Sequence, residues 1–124
     1  MKKLFVIALL FSSCAATKTI ETDLYFGQSI PGGGEVSAAA WNQYQQETIA
    51  TLFTSGFSLH KLTGFWYDPD LKEQVTEHSH MISVVNKLTP QLSKRIDSIA
   101  LIYKQRFHQQ AVLRVDKKAR MKLL

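Results

Sequence analysis

The 124 residues carry fifteen Lys and Arg against ten Asp and Glu, a formal net charge of +5, with 45% hydrophobic and 20% charged residues. This length suits one small core and excludes a second domain of ordinary size, and the composition excludes a generally disordered chain. Cys14 is the only cysteine, which excludes a disulfide within the chain and leaves the rest of it without a thiol nucleophile.

In chain order, Lys2 and Lys3 precede an unbroken apolar run from Leu4 to Phe11. The run is far too short to span a bilayer, which takes about 20 residues. A basic start and a short apolar run are the pattern of an export signal. Phe11-Ser12-Ser13-Cys14 resembles the lipobox of bacterial lipoproteins, although Phe11 stands where Leu is usual. The resemblance implies a signal peptide over residues 1–13, a lipid-bearing Cys14 and a tether over 14–18. The protein is then expected on the envelope, anchored by lipid and facing the periplasm. Two or three acyl chains anchor stably where one is marginal. Nucleic acid is not an expected partner for an exported chain.

Thr19 to Gly27 alternates, with Ile20, Thr22, Leu24 and Phe26 on one side and Glu21, Asp23 and Tyr25 on the other. That is the period of a half-buried strand. Pro31-Gly32-Gly33-Gly34 breaks the chain. It leads toward a helix start, where free amides hold anions in other proteins, but no Gly-Lys-Ser/Thr follows and Glu35 repels anions. A tight turn is the simpler reading. Ser37 is a plausible N-cap for a helix from about Ala38 to Phe53, ended by Ser55-Gly56.

Ser58 to Tyr67 reads as a second strand, with Trp66 on the side opposite Phe65, and Asp68-Pro69-Asp70 as a turn. Val75 to Val85 reads as a third strand. It is apolar on both sides near its end, and Glu77 and Ser79 join the open side only if Met81 and Val85 do. Thr89-Pro90 begins a helix whose stripe is Leu92, Ile96, Ile99, Tyr103 and Phe107. Ala111 to Val115 reads as a fourth strand and Asp116 to Leu124 as a basic tail, so the domain is expected over residues 19–116 with a tail over 117–124.

The order strand, helix, strand, strand, helix, strand predicts an α+β, ferredoxin-like βαββαβ sandwich. It places a four-stranded antiparallel sheet under two helices, with the first and third strands central and one sheet face open. Trp41, Tyr44, Tyr103 and Phe107 are expected in the core.

From Leu24 to Val115 the chain is similar to a family of small bacterial exported proteins known as a domain of unknown function (number 3574). The resemblance is carried by Leu24-Tyr25-Phe26-Gly27, Pro31-Gly32-Gly33-Gly34-Glu35-Val36-Ser37 and Trp41. It continues through Gly64-Phe65-Trp66, Glu77, Ser79, Tyr103-Lys104-Gln105-Arg106-Phe107, Gln109 and Val112-Leu113-Arg114-Val115. It implies no activity. The chain departs from the family where Ser79-His80 replaces the usual Ser-Lys.

The candidate site residues follow from the alternation. Asp23, Tyr25 and Arg114 are expected on the open face, joined by Glu77 and Ser79 if Met81 and Val85 lie there; Trp66, on the side opposite Phe65, is a further candidate. Arg114, Tyr25 and Glu77 would form a row of cation, phenol and carboxylate across three strands, suited to binding a small polar ligand or placing an acid or base. A structural ion pair beneath a homodimer interface is the alternative. His78 and His80 share one strand face, and with His60 they would form an incomplete zinc set, so no metal or cofactor is expected. No nucleophile-elbow motif supports a Ser-His-Asp triad.

Charge is divided along the chain. Between Ala15 and Asn86 there are three basic and eight acidic residues; from Lys87 onward there are ten basic and two acidic. The basic tail is therefore a candidate contact for an anionic envelope polymer. Two functions remain: a non-enzymatic binding or self-association module using the open face, and a small enzyme or ligand carrier with a polar pocket there.

Overall fold

The computed structural model describes residues 18–124. The expected signal peptide and Cys14 lie outside the described residues.

The chain forms β1 (Thr19–Gly27), α1 (Ala38–Tyr44), a π-helical stretch (Gln45–Ile49) running directly into α2 (Ala50–Leu52), β2 (Ser58–Asp68), β3 (Glu73–Lys87), α3 (Pro90–Phe107) and β4 (Leu113–Lys118). The fold is mixed α/β, with a four-stranded antiparallel sheet in the order β2-β3-β1-β4. The first and third strands are central, as the element order predicts. Among the described residues no helix is long and apolar enough to cross a membrane.

Local chemistry sets the helix starts. The Ser37 hydroxyl accepts from the Ala40 amide at 3.1 Å, and Thr89 does the same for Leu92 at 3.1 Å with Pro90 in the first turn. Each hydroxyl satisfies an amide that has no helical partner. The α3 helix stops at His108, which adopts a left-handed conformation (φ 53°) and donates its amide to Lys104.

Register defines the two faces. Leu24 stands opposite Ile82 and Arg114, and Thr22 opposite Val84 and Asp116; directly opposed residues share a face. On this face both helical segments pack. Phe26 meets Trp41 and Tyr44 from the first segment and Tyr103 from α3, with ring centroids 4.9–5.8 Å apart. Leu24, Phe26, Ile49, Ile82, Ile96, Ile99 and the rings of Trp41, Tyr44 and Tyr103 are almost wholly buried. Each such side chain contributes on the order of 1.5–3 kcal/mol by leaving water. The buried phenols are hydrogen-bonded: Tyr44 donates to the Ile99 carbonyl at 2.8 Å and Tyr103 to that of Gly27 at 2.7 Å. Burial holds both hydroxyls above their ordinary pKa.

Four elements differ from the sequence expectation. The first helical segment contains a π-helical turn, beside which Thr51 bonds back to the carbonyls of Glu47 and Thr48 at 3.0 Å. β4 begins at Leu113 and runs to Lys118, with Asp116, Lys117 and Lys118 paired to Thr22, Glu21 and Ile20. The start of the expected tail is therefore sheet. Finally, β2 and β3 are longer than expected. The pairs from Gly64–Glu77 to Asp68–Glu73 extend past Ser79, where β1 pairing ends, as a two-stranded arm. At about 3.3 Å per residue the arm is roughly 17 Å long. Its turn is closed by the Asp68 carboxylate, which accepts from the amides of Asp70 and Leu71 at 2.8 and 3.1 Å.

Candidate functional site on the open sheet face

The register places Asp23, Tyr25, Trp66, Glu77 and Ser79 on the face away from the helices. Tyr25 opposes Met81 and Leu113, Gly27 opposes Ser79, and Trp66 opposes Val75. Met81 and Val85 lie on this side because Ile82 and Val84 are buried on the other. That settles which way Glu77 and Ser79 point.

Arg114 does not join them. It opposes Leu24 and so lies on the helix side, where its guanidinium donates to Asp97 at 2.8 Å and the Ser93 carbonyl at 3.2 Å and pairs with Asp116 at 3.0 Å. It ties α3 to the edge strand. The physical reason is that Leu113 and Val115, the apolar residues of β4, face the open side. Strand alternation fixes only relative sidedness, and the apolar pair gave the wrong absolute one. The cation, phenol and carboxylate row is thus broken.

The histidine set fails for a related reason. His78 and His80 share the face of Phe26, whereas His60 opposes Met81 on the open face. Among the described residues no group of three His, Cys, Asp or Glu side chains is placed to hold a metal. His80 instead stacks on Trp41, centroids 4.3 Å apart and planes 18° apart. Its Nδ1 is buried without a hydrogen-bond partner among the described residues. Burial, with Lys61 nearby, lowers its pKa below the ordinary 6.5.

The glycine loop is a turn. Ile30 donates to the Gly34 carbonyl at 2.9 Å, Gly33 to that of Ile30 at 3.0 Å, and Ser29 bridges Glu35. Gly33, at φ 124°, takes a backbone conformation that side chains disfavour.

The open face has two halves. At one end Asp23 is buried beneath Lys117, whose ammonium lies 2.9 Å away, and accepts from the Ser83 hydroxyl at 2.7 Å. Burial opposes its ionisation, but the bonds from Lys117 and Ser83 outweigh burial and hold the carboxyl below its ordinary 3.8. Glu21 completes the network, 3.5 Å from Lys117. This half is a closed set of ion pairs, so Asp23 is structural in its contacts.

The other half is an open cavity of about 590 Å³ at the base of the arm. Tyr25 and Gly27 of β1, Trp66 and Gly64 of β2, Glu77 and Ser79 of β3, Leu113 of β4 and Gln109 all line it. Glu77 sits where side-chain cover is missing on both neighbouring strands. Gly64 stands directly opposite it, and a Cβ on Gly27 would fall 2.7 Å from its Oε1. Gly27 therefore leaves room for the carboxylate itself, whereas a Cβ on Gly64 would meet only the Glu77 main-chain carbonyl, at 3.6 Å. Gln109 turns its Oε1 to within 3.5 Å of the same point, while its Nε2 donates to the carbonyls of Ser29 and Phe107 at 2.8 and 3.2 Å. Sequence reasoning missed Gln109, Gly27 and Gly64 as site residues. The signal available was two glycines inside strands, which mark a close approach of other atoms.

The fold and site define a small mixed α/β domain with one open sheet face and a cavity lined by aromatic rings and a carboxylate. The chain belongs to the family described as Protein of unknown function (DUF3574), whose model matches residues 21–123. No curated protein matches it. Two solved structures of similar fold are a phage SAM lyase in complex with S-methyl-5'-thioadenosine and a phage SAM lyase in the apo state. Each has a TM-score of 0.60 and 14% identity. The first covers 82% of this chain and 81% of its own, the second 84% and 83%. At this identity the likeness is one of fold.

Proposed function

We propose that the domain binds a small molecule in the cavity at the base of the arm, as a carrier or small enzyme. The observation that carries this reading is the seating of Glu77. A carboxylate that occupies the space over Gly27, in a cavity it shares with Tyr25 and Trp66, makes a concave site with a few polar groups, the usual form of a ligand pocket. The phage lyase supports the reading to the extent that its complex holds a small thioether nucleoside on a similar fold. We assign that fold to the ferredoxin-like class; read from the β4 edge, the strand order is 4-1-3-2.

We further propose an envelope location with a lipid on Cys14, from the lipobox resemblance; mass spectrometry of the mature N-terminus will find that residue acylated, and a free thiol there contradicts it. The expected contact with an anionic polymer now rests on Arg120 and Lys122, since Lys117 is tied to Asp23 and Lys118 belongs to β4.

A second reading, self-association, is favoured by a different observation. Phe65, Tyr67 and Leu71 on the arm are each more than 60% exposed, and β2 is an edge strand.

Ligand-induced thermal shift on the full chain tests the first reading. A true ligand at 100 times its dissociation constant adds about 2.7 kcal/mol, which raises the melting temperature by roughly 10 °C or more for a domain this small. The shift is expected to vanish in Gly27→Ala and Trp66→Ala and to persist in Arg114→Ala. Ligands whose effect ignores the first two variants contradict the site.

A further inference from the structure

We infer that the ligand is a small organic cation, an ammonium or sulfonium group held by Glu77 against the rings of Trp66 and Tyr25; this rests on the pocket reading above. Among the described residues Glu77 is the sole charged side chain lining the cavity. Among the described residues it has no ion-pair partner, and the two cations of β4 in ion pairs are engaged elsewhere. Arg114 is on the helix face with Asp97 and Asp116, and Lys117 is at the far end with Asp23 and Glu21. The Gln109 Oε1 lies 3.5 Å from the same Gly27 Cβ position that the Glu77 Oε1 crowds, and it too is an acceptor, since Gln109 has committed its amide nitrogen to Ser29 and Phe107.

Two acceptors over one glycine favour a donor or a positive charge. An anion would be repelled by Glu77. A neutral apolar ligand would cover the carboxylate without replacing its water, at a cost in free energy. A cation offsets that loss, and its positive group gains further from the faces of aromatic rings, Trp above all. Trp66, 49% exposed and paired with Val75 next along β3 on the same face, and Tyr25, paired with Met81 on the other side of Ser79, are the aromatic residues that line the cavity with Glu77.

The test compares three probes of one shape at matched ionic strength: choline, uncharged 3,3-dimethylbutan-1-ol and anionic 3,3-dimethylbutanoate. The readout is the indole N–H signals of the full chain by nuclear magnetic resonance. The chain has two tryptophans, and Trp41, only 2% exposed, is the internal reference. Choline is expected to move the Trp66 signal saturably, at least tenfold more tightly than the alcohol, and Trp41 little. Glu77→Gln is expected to lose at least tenfold for choline and nothing for the alcohol. Trp66 responding as strongly to the alcohol or the carboxylate as to choline overturns the cation assignment and leaves the pocket standing. Trp66 unmoved by all three overturns both.

Discussion

Residue-scale effects separate cleanly because the sheet face assigns each side chain one environment. Gly27→Ala pushes only against the far end of the Glu77 side chain, which can swing aside. We expect a change in stability within about 1 kcal/mol, measured by urea unfolding, together with loss of ligand response. Arg114→Ala should behave in the opposite way. It removes two charge-assisted bonds to α3 and one pair with Asp116, which is worth roughly 1–2 kcal/mol given the exposed partners, and leaves the Trp66 signal in place. Two titrations follow from buried groups. His80 has a folded pKa below 6.5, so the unfolded chain takes up the proton first, and stability is full above pH 6.5 and falls as pH drops below it. His80→Phe, which keeps a ring on Trp41, should flatten that decline. Asp23 has a folded pKa below 3.8, so its contribution is present above pH 3.8 and lost as pH falls from there through the folded value. Denaturant midpoints measured from pH 8 to 3 check both windows.

At the scale of elements, the arm is the part least able to stand alone. A two-stranded ribbon is marginally stable in water, and this one shows Phe65 and Tyr67 on one face and Trp66 on the other. If self-association uses the arm, Phe65→Lys with Tyr67→Lys will shift sedimentation equilibrium toward monomer while leaving far-ultraviolet circular dichroism intact; an unchanged mass distribution contradicts that reading. Much of the element order was legible. Ser37, Thr89-Pro90 and the Leu92-to-Phe107 stripe are local signals, and local chemistry decides helix starts. The arm was not legible, since polar Glu73 and Gln74 read as loop until β2 pairs with them. Nor was the side of β4, because an edge strand with apolar Leu113 and Val115 looks core-facing until register with Leu24 places Arg114 opposite. Tyr25, Trp66, Glu77 and Ser79 of the candidate site could be named from the residues, but alternation left the side of Glu77 and Ser79 open, since β3 is apolar on both sides near its end; pairing with β1 places them. The floor of the site was not legible, because Gly27 and Gly64 meet around Glu77 only through cross-strand register.

For the whole molecule, one sheet face is spent on the core and the other is divided between a closed ion-pair network and an open cavity. That division gives the pocket reading its force over a flat interface. The most direct measurement is native mass spectrometry of the full chain purified gently from its own host, beside Glu77→Gln. A defined small-molecule mass is expected on the wild-type protein and not on the variant. A wild-type protein of bare mass, assembled into a dimer that the arm substitutions dissociate, would contradict the pocket reading and make the arm, not the cavity, the working part.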